Sequence, residues 1–322
     1  MIKVSDKSVY LEEYIEINGI EQYLFHSSKN IDNPVMLFLH GGPGSVESIY
    51  AYIVQDKWEE NYTVVHWDQR GSGKTLIKNP SKKNYPIMEQ LMLDLLEIVK
   101  YLKKIYNKRK IVIMGYSWGS VLGTDFVKKY PEEVEYYIGV GQVVDMFENE
   151  KLAYEKVKEE VKKSKNKRYL KIIKSFGEYP EKSYTKSMKA KLVKLNLIQQ
   201  KYKLAVVINF SMIKNFLRSP IFRFSDIRAM IKGLKANEKL MEYLIKFNLN
   251  KQSYEYKVPV YYILGENDWQ VPTILAKRYF DKIIAPHKKI YIIKNSGHRP
   301  MLEEKKLFED ALLDIFNINN NS

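Results

Sequence analysis

Six short apolar runs punctuate the chain, at residues 35–39, 64–67, 111–114, 136–140, 260–264 and 290–293. Runs of this length with no polar alternation predict strands buried on both faces. Between several of them apolar residues recur at helical spacing, as in Leu91, Leu95, Ile98, Val99 and Leu102, which predicts amphipathic helices. Buried strands alternating with helices make the expected class α/β, with a mostly parallel sheet covered on both sides.

The alternation stops after about residue 145 and resumes at about 257. The interval reads as helices throughout, with lysines interleaved among Leu192, Val193, Leu195, Ile198 and Tyr202, followed by a more apolar stretch over 205–216. We expect a helical cap, residues 141–256, inserted into a core formed by 1–140 and 257–322. In an open α/β sheet the ligand lies beyond the carboxyl ends of the strands, so an insertion leaving and re-entering there would roof the site. No internal repeat is present, and the asparagine-rich tail, 317–322, is expected to fray.

The run at 111–114 leads into Gly115-Tyr116-Ser117-Trp118-Gly119 and then a helical pattern stopped by Pro131. Strand, Gly-x-Ser-x-Gly turn and helix together form the context of a nucleophile elbow, with the glycines required where backbones pass closely. Ser117 is thus the candidate nucleophile, and a serine hydroxyl needs a base and an acid to orient that base. Of the five histidines, His26 and His66 fall at or near early strands, His40 opens a glycine turn and His287 sits in a lysine-flanked loop. His298 follows the last core strand and is the candidate base. The acid is expected between serine and base in chain order; we choose Asp268, with Glu266 beside it and Asp145 farther off as competitors. The oxyanion of an acyl-transfer intermediate needs backbone donors, and the expected pair is the Trp118 amide with that of Gly42, or less favourably Gly41, in His40-Gly41-Gly42-Pro43-Gly44.

Composition narrows the chemistry. The absence of cysteine removes disulfides and thiolate chemistry and suits a reducing compartment. The first thirty residues interrupt their apolar positions with Glu12, Glu13 and Glu16, unlike a secretory signal, so a cytoplasmic location is expected. No apolar run approaches the ~20 residues of a membrane span. Of the net charge of +15, residues 151–204 supply +12, with 17 Lys and Arg against 5 Glu. That reads as a solvated lysine-rich face, and no nucleic-acid motif accompanies it. The run Arg70-Gly71-Ser72-Gly73-Lys74-Thr75 ends like a phosphate-binding loop but has Asp68 where that motif needs glycine; Asp68 and Arg70 are expected to tie the loop to the floor of the site. No compact ligand cluster suggests a metal, and no cofactor is expected.

Taken in order, the His40–Gly44 turn, Asp68-Gln69-Arg70-Gly71-Ser72-Gly73, the elbow at Ser117, the loop from Gly265 to Asp268 and Ser296-Gly297-His298 resemble the proline iminopeptidase branch of the α/β-hydrolase superfamily. The resemblance implies an eight-stranded, mostly parallel sheet, a cap after the sixth strand, and hydrolysis by Ser117, Asp268 and His298. It further implies a small peptide or amide substrate with a free N-terminal residue, proline by resemblance. Such enzymes are expected to bind the substrate's ammonium through cap glutamates, one in a Trp-x-x-Trp-Glu motif. This chain has no tryptophan between Trp118 and Trp269, and Tyr116 stands where those enzymes usually carry glycine. Glu148, Glu150 and Glu155 are the candidates left for the ammonium. An ester or lipid-like acyl substrate, suited to an apolar cap lining over 205–216, is the alternative. A non-catalytic module meeting an anionic surface through its basic cap is the third.

Overall fold

The computed structural model describes residues 7–207 and 209–320. One sheet of eight strands runs in the order β1-β2-β4-β3-β5-β6-β7-β8, where β1 is Val9–Ile17, β2 Ile20–Ser28, β3 Val35–Leu39, β4 Thr63–Asp68, β5 Ile111–Tyr116, β6 Val134–Val140, β7 Val260–Gly265 and β8 Lys288–Ile293. The six expected strands are β3 to β8, all parallel. The N-terminal strands were not among them: β2 lies antiparallel to both β1 and β4. Alternate side chains divide the core, with Leu37, Val65 and Ile113 packing under the helices Met88–Ile105 and Trp118–Lys129. On the other face Phe38, Val64 and Met114 meet Trp58, Phe308 and Leu312.

β3 lies between β4 and β5, so the chain leaves these central strands in opposite directions. A crevice opens at their carboxyl ends, where the turns after β3 and β5 face each other. That is where His40–Gly44 and Ser117 sit.

Between β6 and β7 the described residues form six α-helices, Met146–Lys163, Lys167–Lys174, Lys186–Lys201, Phe210–Arg218, Phe224–Ala236 and Glu238–Lys246, and a 3-10 turn at Leu249–Lys251. The first three bury a small core of their own, including Val157, Val161, Phe176, Leu195 and Ile198. The sixth instead places Leu240 and Leu244 in the main core. Helix Phe224–Ala236 is fastened to the sheet side by a buried ion pair, Lys74 Nζ to Asp226 Oδ2 at 3.2 Å. Lys74 also donates to the Ile221 carbonyl at 2.8 Å, and Asn237 Nδ2 to that of Gly71 at 2.8 Å. The lysine of the phosphate-loop-like run is thus consumed in holding the helix. Ile208, at the end of the apolar run 205–208, lies outside the described residues, as do Asn321 and Ser322. Residues 317–320 close the helix Lys305–Asn320 rather than fraying. Among the described residues no helix is long and apolar enough to cross a membrane.

Arg70 departs from expectation. Its guanidinium is engaged by helix Met88–Ile105 and the β1–β2 turn, pairing with Asp94 at 2.6 and 3.1 Å and donating to the Asn18 carbonyl at 3.2 Å. Asp68 does serve the loop, accepting from the Lys74 amide at 2.8 Å and the Ser48 hydroxyl at 3.2 Å. Because the Arg70–Asp94 pair is buried and bidentate, Arg70→Met should leave Asp94 as a buried charge without a counter-ion, hydrogen-bonded only by Asn18 and Gln90, and cost about 3–5 kcal/mol by urea denaturation. A loss under about 1 kcal/mol would mean the pair contributes no more than a surface ion pair.

The small helical core holds a carboxylate as well. Glu150 is buried and accepts from the Tyr179 hydroxyl, and burial pushes its pKa up from 4.5 to about 7. The folded state therefore holds this proton more tightly than the unfolded chain. Stability contributed by the protonated form is complete below about pH 4.5 and lost as pH rises through about 7. Relative to Glu150→Gln, wild type should lose up to about 3 kcal/mol between pH 4.5 and 8. Parallel stability-against-pH curves for the two proteins would show that Glu150 ionises as an ordinary surface acid does.

Candidate active site

The turn after β5 is closed by backbone contact. A Cβ on Gly119 would stand 2.0 Å from the Leu39 carbonyl oxygen, and one on Gly115 2.5 Å from that of Gly119. Only glycine fits at either position, so the strand, the turn and the helix Trp118–Lys129 pack without side chains between them. Ser117 is held at φ 53° and ψ −119°, in a region L-residues rarely adopt, which stores strain and projects the side chain out of the turn. Its amide donates to the Val140 carbonyl at 2.9 Å. Its carbonyl accepts from the Ser120 hydroxyl at 2.6 Å.

His298 closes the arrangement. Its Nε2 lies 3.0 Å from Ser117 Oγ and its Nδ1 2.7 Å from Asp268 Oδ2. The carboxylate can only accept, so Nδ1 carries the proton and Nε2 is left to accept from the serine. Asp268 is oriented in turn by the amides of Gln270, at 3.0 Å, and Val271, at 2.8 Å, both donating to Oδ1. Both side chains of the His298–Asp268 pair are 1% exposed. The competing acids have other partners: Glu266 accepts from the Asn295 amide at 3.3 Å, and Asp145 caps helix Met146–Lys163 through the Glu148 amide at 3.1 Å. A hydroxyl hydrogen-bonded to an imidazole that a buried carboxylate orients is the geometry for general-base activation of a nucleophile.

The turn after β3 meets Ser117 from the other side. His40 Nδ1 donates to the Gly41 carbonyl at 2.8 Å, and its Nε2 accepts from the Gln69 amide at 3.2 Å. The Gln69 side chain then spans from the His40 carbonyl, at 3.2 Å, to the Trp118 indole N–H, at 3.0 Å. Burial pushes the His40 pKa down to about 4. Gly42 lines the same cavity as Ser117, whereas the Gly41 Cβ position is 3.3 Å from the serine Cβ. Trp118 opens its helix, where a backbone N–H has no intrahelical acceptor and the dipole favours negative charge.

The cavity over Ser117 has a volume of about 370 Å³. Its roof comes from the segment between β6 and β7, through Val206 in a connection and Met212, Phe216, Met230 and Leu234 on helices, with Asn196 and Gln200 as polar contributors. Its charged groups are Glu47 and Arg299, paired at 3.3 Å, and burial pushes the Glu47 pKa up. The Arg299 guanidinium lies 5.5 Å over the Tyr50 ring, and the Tyr116 ring packs against His298 with centroids 5.2 Å apart. Tyr116 therefore buttresses the imidazole where a glycine would leave space. None of the cap glutamates lines this cavity. Glu148 pairs with Lys151 at 3.5 Å, Glu155 with Lys158 at 2.8 Å, and Glu150 is engaged with Tyr179. Glu47 and Arg299 escaped the sequence reading; their one signal was adjacency, three residues past Gly44 and one past His298.

The comparisons with known proteins agree with this architecture. A Bacillus subtilis (strain 168) protein named "Probable aminopeptidase YbaC" is 30% identical over 311 residues, covering 95% of this chain and 96% of its own. A proline iminopeptidase of Heyndrickxia coagulans is 21% identical over 96% of this chain and 99% of its own. The crystal structure of a Mycobacterium smegmatis proline iminopeptidase matches with a TM-score of 0.67 over 96% of this chain and 98% of its own, a likeness of fold at 14% identity. The sequence model of the α/β hydrolase fold matches residues 34–305, and the chain belongs to that family.

Proposed function

We propose that the protein is a serine hydrolase that removes the N-terminal residue, proline by resemblance, from small peptides or amides. The observation that carries the chemistry is the single imidazole bridging Ser117 Oγ and Asp268 Oδ2 at 3.0 and 2.7 Å. Ser117 Oγ attacks the substrate carbonyl while His298 Nε2 takes its proton, and Asp268 stabilises the imidazolium. The oxyanion is held by the amides of Gly42 and Trp118. The C–N bond then breaks as His298 returns the proton to the leaving amine. Water, deprotonated by the same imidazole, releases the acyl group and regenerates the serine. No metal or cofactor enters these steps. Residues 141–256 serve as the cap that selects the substrate, and the cysteine-free composition keeps a cytoplasmic location as our reading.

The amide reading draws on the aminopeptidase relatives and on Glu47, the one acidic side chain lining the cavity among the described residues. Glu47 takes over the ammonium-binding role expected of Glu148, Glu150 and Glu155, none of which lines the cavity. The apolar roof, Val206, Met212, Phe216, Met230 and Leu234, favours a second reading, hydrolysis of a carboxylic ester with an aliphatic acyl group by the same steps.

The two readings separate when kcat/KM is measured side by side on a proline arylamide and a short-chain nitrophenyl ester. Ser117→Ala should lower both by at least about 10,000-fold; undiminished turnover by this variant would remove the mechanism. Glu47→Gln should raise KM for the arylamide about 10- to 100-fold, the worth of a charge-assisted contact, and leave the ester within about twofold. Equal losses on both substrates would reduce Glu47 to a structural partner of Arg299. Ester turnover without amide turnover in wild type would establish the second reading.

A further inference from the structure

The exposed apolar side chains are unevenly spread. Of 21 large ones exposed among the described residues, 11 fall between positions 193 and 234. In helix Phe224–Ala236 the buried positions are Asp226, Ala229, Gly233 and Ala236, an inward face of small residues apart from the aspartate bound to Lys74. The large apolar residues Phe224, Ile227, Ile231 and Leu234 recur at the same spacing on the outward face, from 41% to 82% exposed. A surface helix ordinarily turns such a stripe toward the core. Here the Lys74–Asp226 pair and the Asn237 contact to Gly71 hold it outward. Helix Phe210–Arg218 repeats the arrangement, with Phe210 80% exposed and Ile213 and Leu217 about half exposed.

Charge follows the same segment. Residues 186–235 contain 12 Lys and Arg and one acid, Asp226, which is buried on Lys74. Lys214, Arg218, Arg228, Lys232 and Lys235 belong to the two helices that carry the exposed stripes. The apolar surface also runs into the reaction cavity, because Met230 and Leu234, 57% and 67% exposed, line it together with Ser117.

We propose that this face is a docking surface for an anionic lipid bilayer, on which the protein sits peripherally with the mouth of its cavity against the lipid. Apolar stripes flanked by cations are the makeup of helices that lie in the membrane interface. The 12 cations are nine lysines and three arginines, and the exposed aromatics of the patch are Phe210 and Phe224. Protein interfaces favour Tyr, Trp and Arg and are depleted in Lys. A second copy of the chain would bring like charge against like charge. The proposal is independent of which bond Ser117 cleaves.

The test is sedimentation of the full chain with vesicles of phosphatidylcholine alone or with about one-third phosphatidylglycerol, at low and high salt. The expected result is partitioning at least about tenfold stronger to the anionic vesicles, falling as salt rises. Phe224→Ser with Ile231→Ser, both outside the cavity, should weaken it about tenfold or more. Circular dichroism and turnover of a soluble nitrophenyl ester should be unchanged in that variant. Lys232→Glu with Lys235→Glu should erase the preference for anionic lipid. Absence of binding to anionic vesicles at low salt overturns the proposal, as does binding indifferent to the serine pair. Dimerisation in sedimentation velocity that the serine pair abolishes, without vesicle binding, would assign the face to a second copy. Capture by polyglutamate without vesicle binding would assign it to an acidic protein.

Discussion

Everything at this site depends on how closely the backbone after β3 approaches the helix that begins at Trp118. With the Leu39 carbonyl where a Gly119 side chain would be, the two loops at the switch point of the sheet become one rigid body. Ser117 rides on one loop and Gly42 on the other, so their separation is set by covalent geometry and van der Waals contact rather than by side-chain conformation. Gln69 then joins both to the loop after β4. His298 arrives from the far end of the chain and needs only to land within hydrogen-bonding reach of a partner already fixed.

The parts legible in the sequence were those in which local chemistry and local structure coincide. The strands β3 to β8 announced themselves because each carries a compact, mainly apolar run, with polar residues such as Asp68, Glu135 and Lys289 largely at or near strand ends. The loop residues at 42, 117, 268 and 298 stood out because each ends or follows such a strand. β1 and β2 were overlooked for a physical reason. β1 is an edge strand whose inward face should alternate through residues 9, 11, 13, 15 and 17, but Glu13 interrupts it, held there by His26 at 3.0 Å and by the Tyr101 hydroxyl at 2.8 Å. In β2 the polar Gln22 and His26 are buried with tertiary partners, Trp67 at 2.8 Å and Tyr106 at 2.8 Å. No periodicity contains partners so distant in sequence. Glu47 and Arg299 were missed for a similar cause, since only the folded turn makes them neighbours.

The cavity combines two kinds of recognition. Glu47 and Arg299 neutralise each other at one side, while the roof offers hydrocarbon. Under the aminopeptidase reading proposed above, a substrate ammonium approaching Glu47 would share it with Arg299, which weakens binding relative to a lone carboxylate but costs less desolvation. That balance suits a site exchanging small substrates. It also keeps an unpaired charge from sitting beside the imidazole when the cavity is empty.

The enzyme contains two imidazoles at its centre with opposite obligations. His298 is wired so that one nitrogen can give and take a proton. His40 is wired so that neither can: one nitrogen is spent on the Gly41 carbonyl, the other on the Gln69 amide, and its pKa of about 4 leaves it neutral near pH 7. Mild acidification therefore leaves the hydrogen bonds of His40 in place, because protonating Nε2 would forfeit the bond from the Gln69 amide and is resisted by burial. The turn that carries Gly42 thus rests on an imidazole whose contacts do not depend on pH near neutrality, and a change of a unit or two in the surroundings leaves that turn as it was.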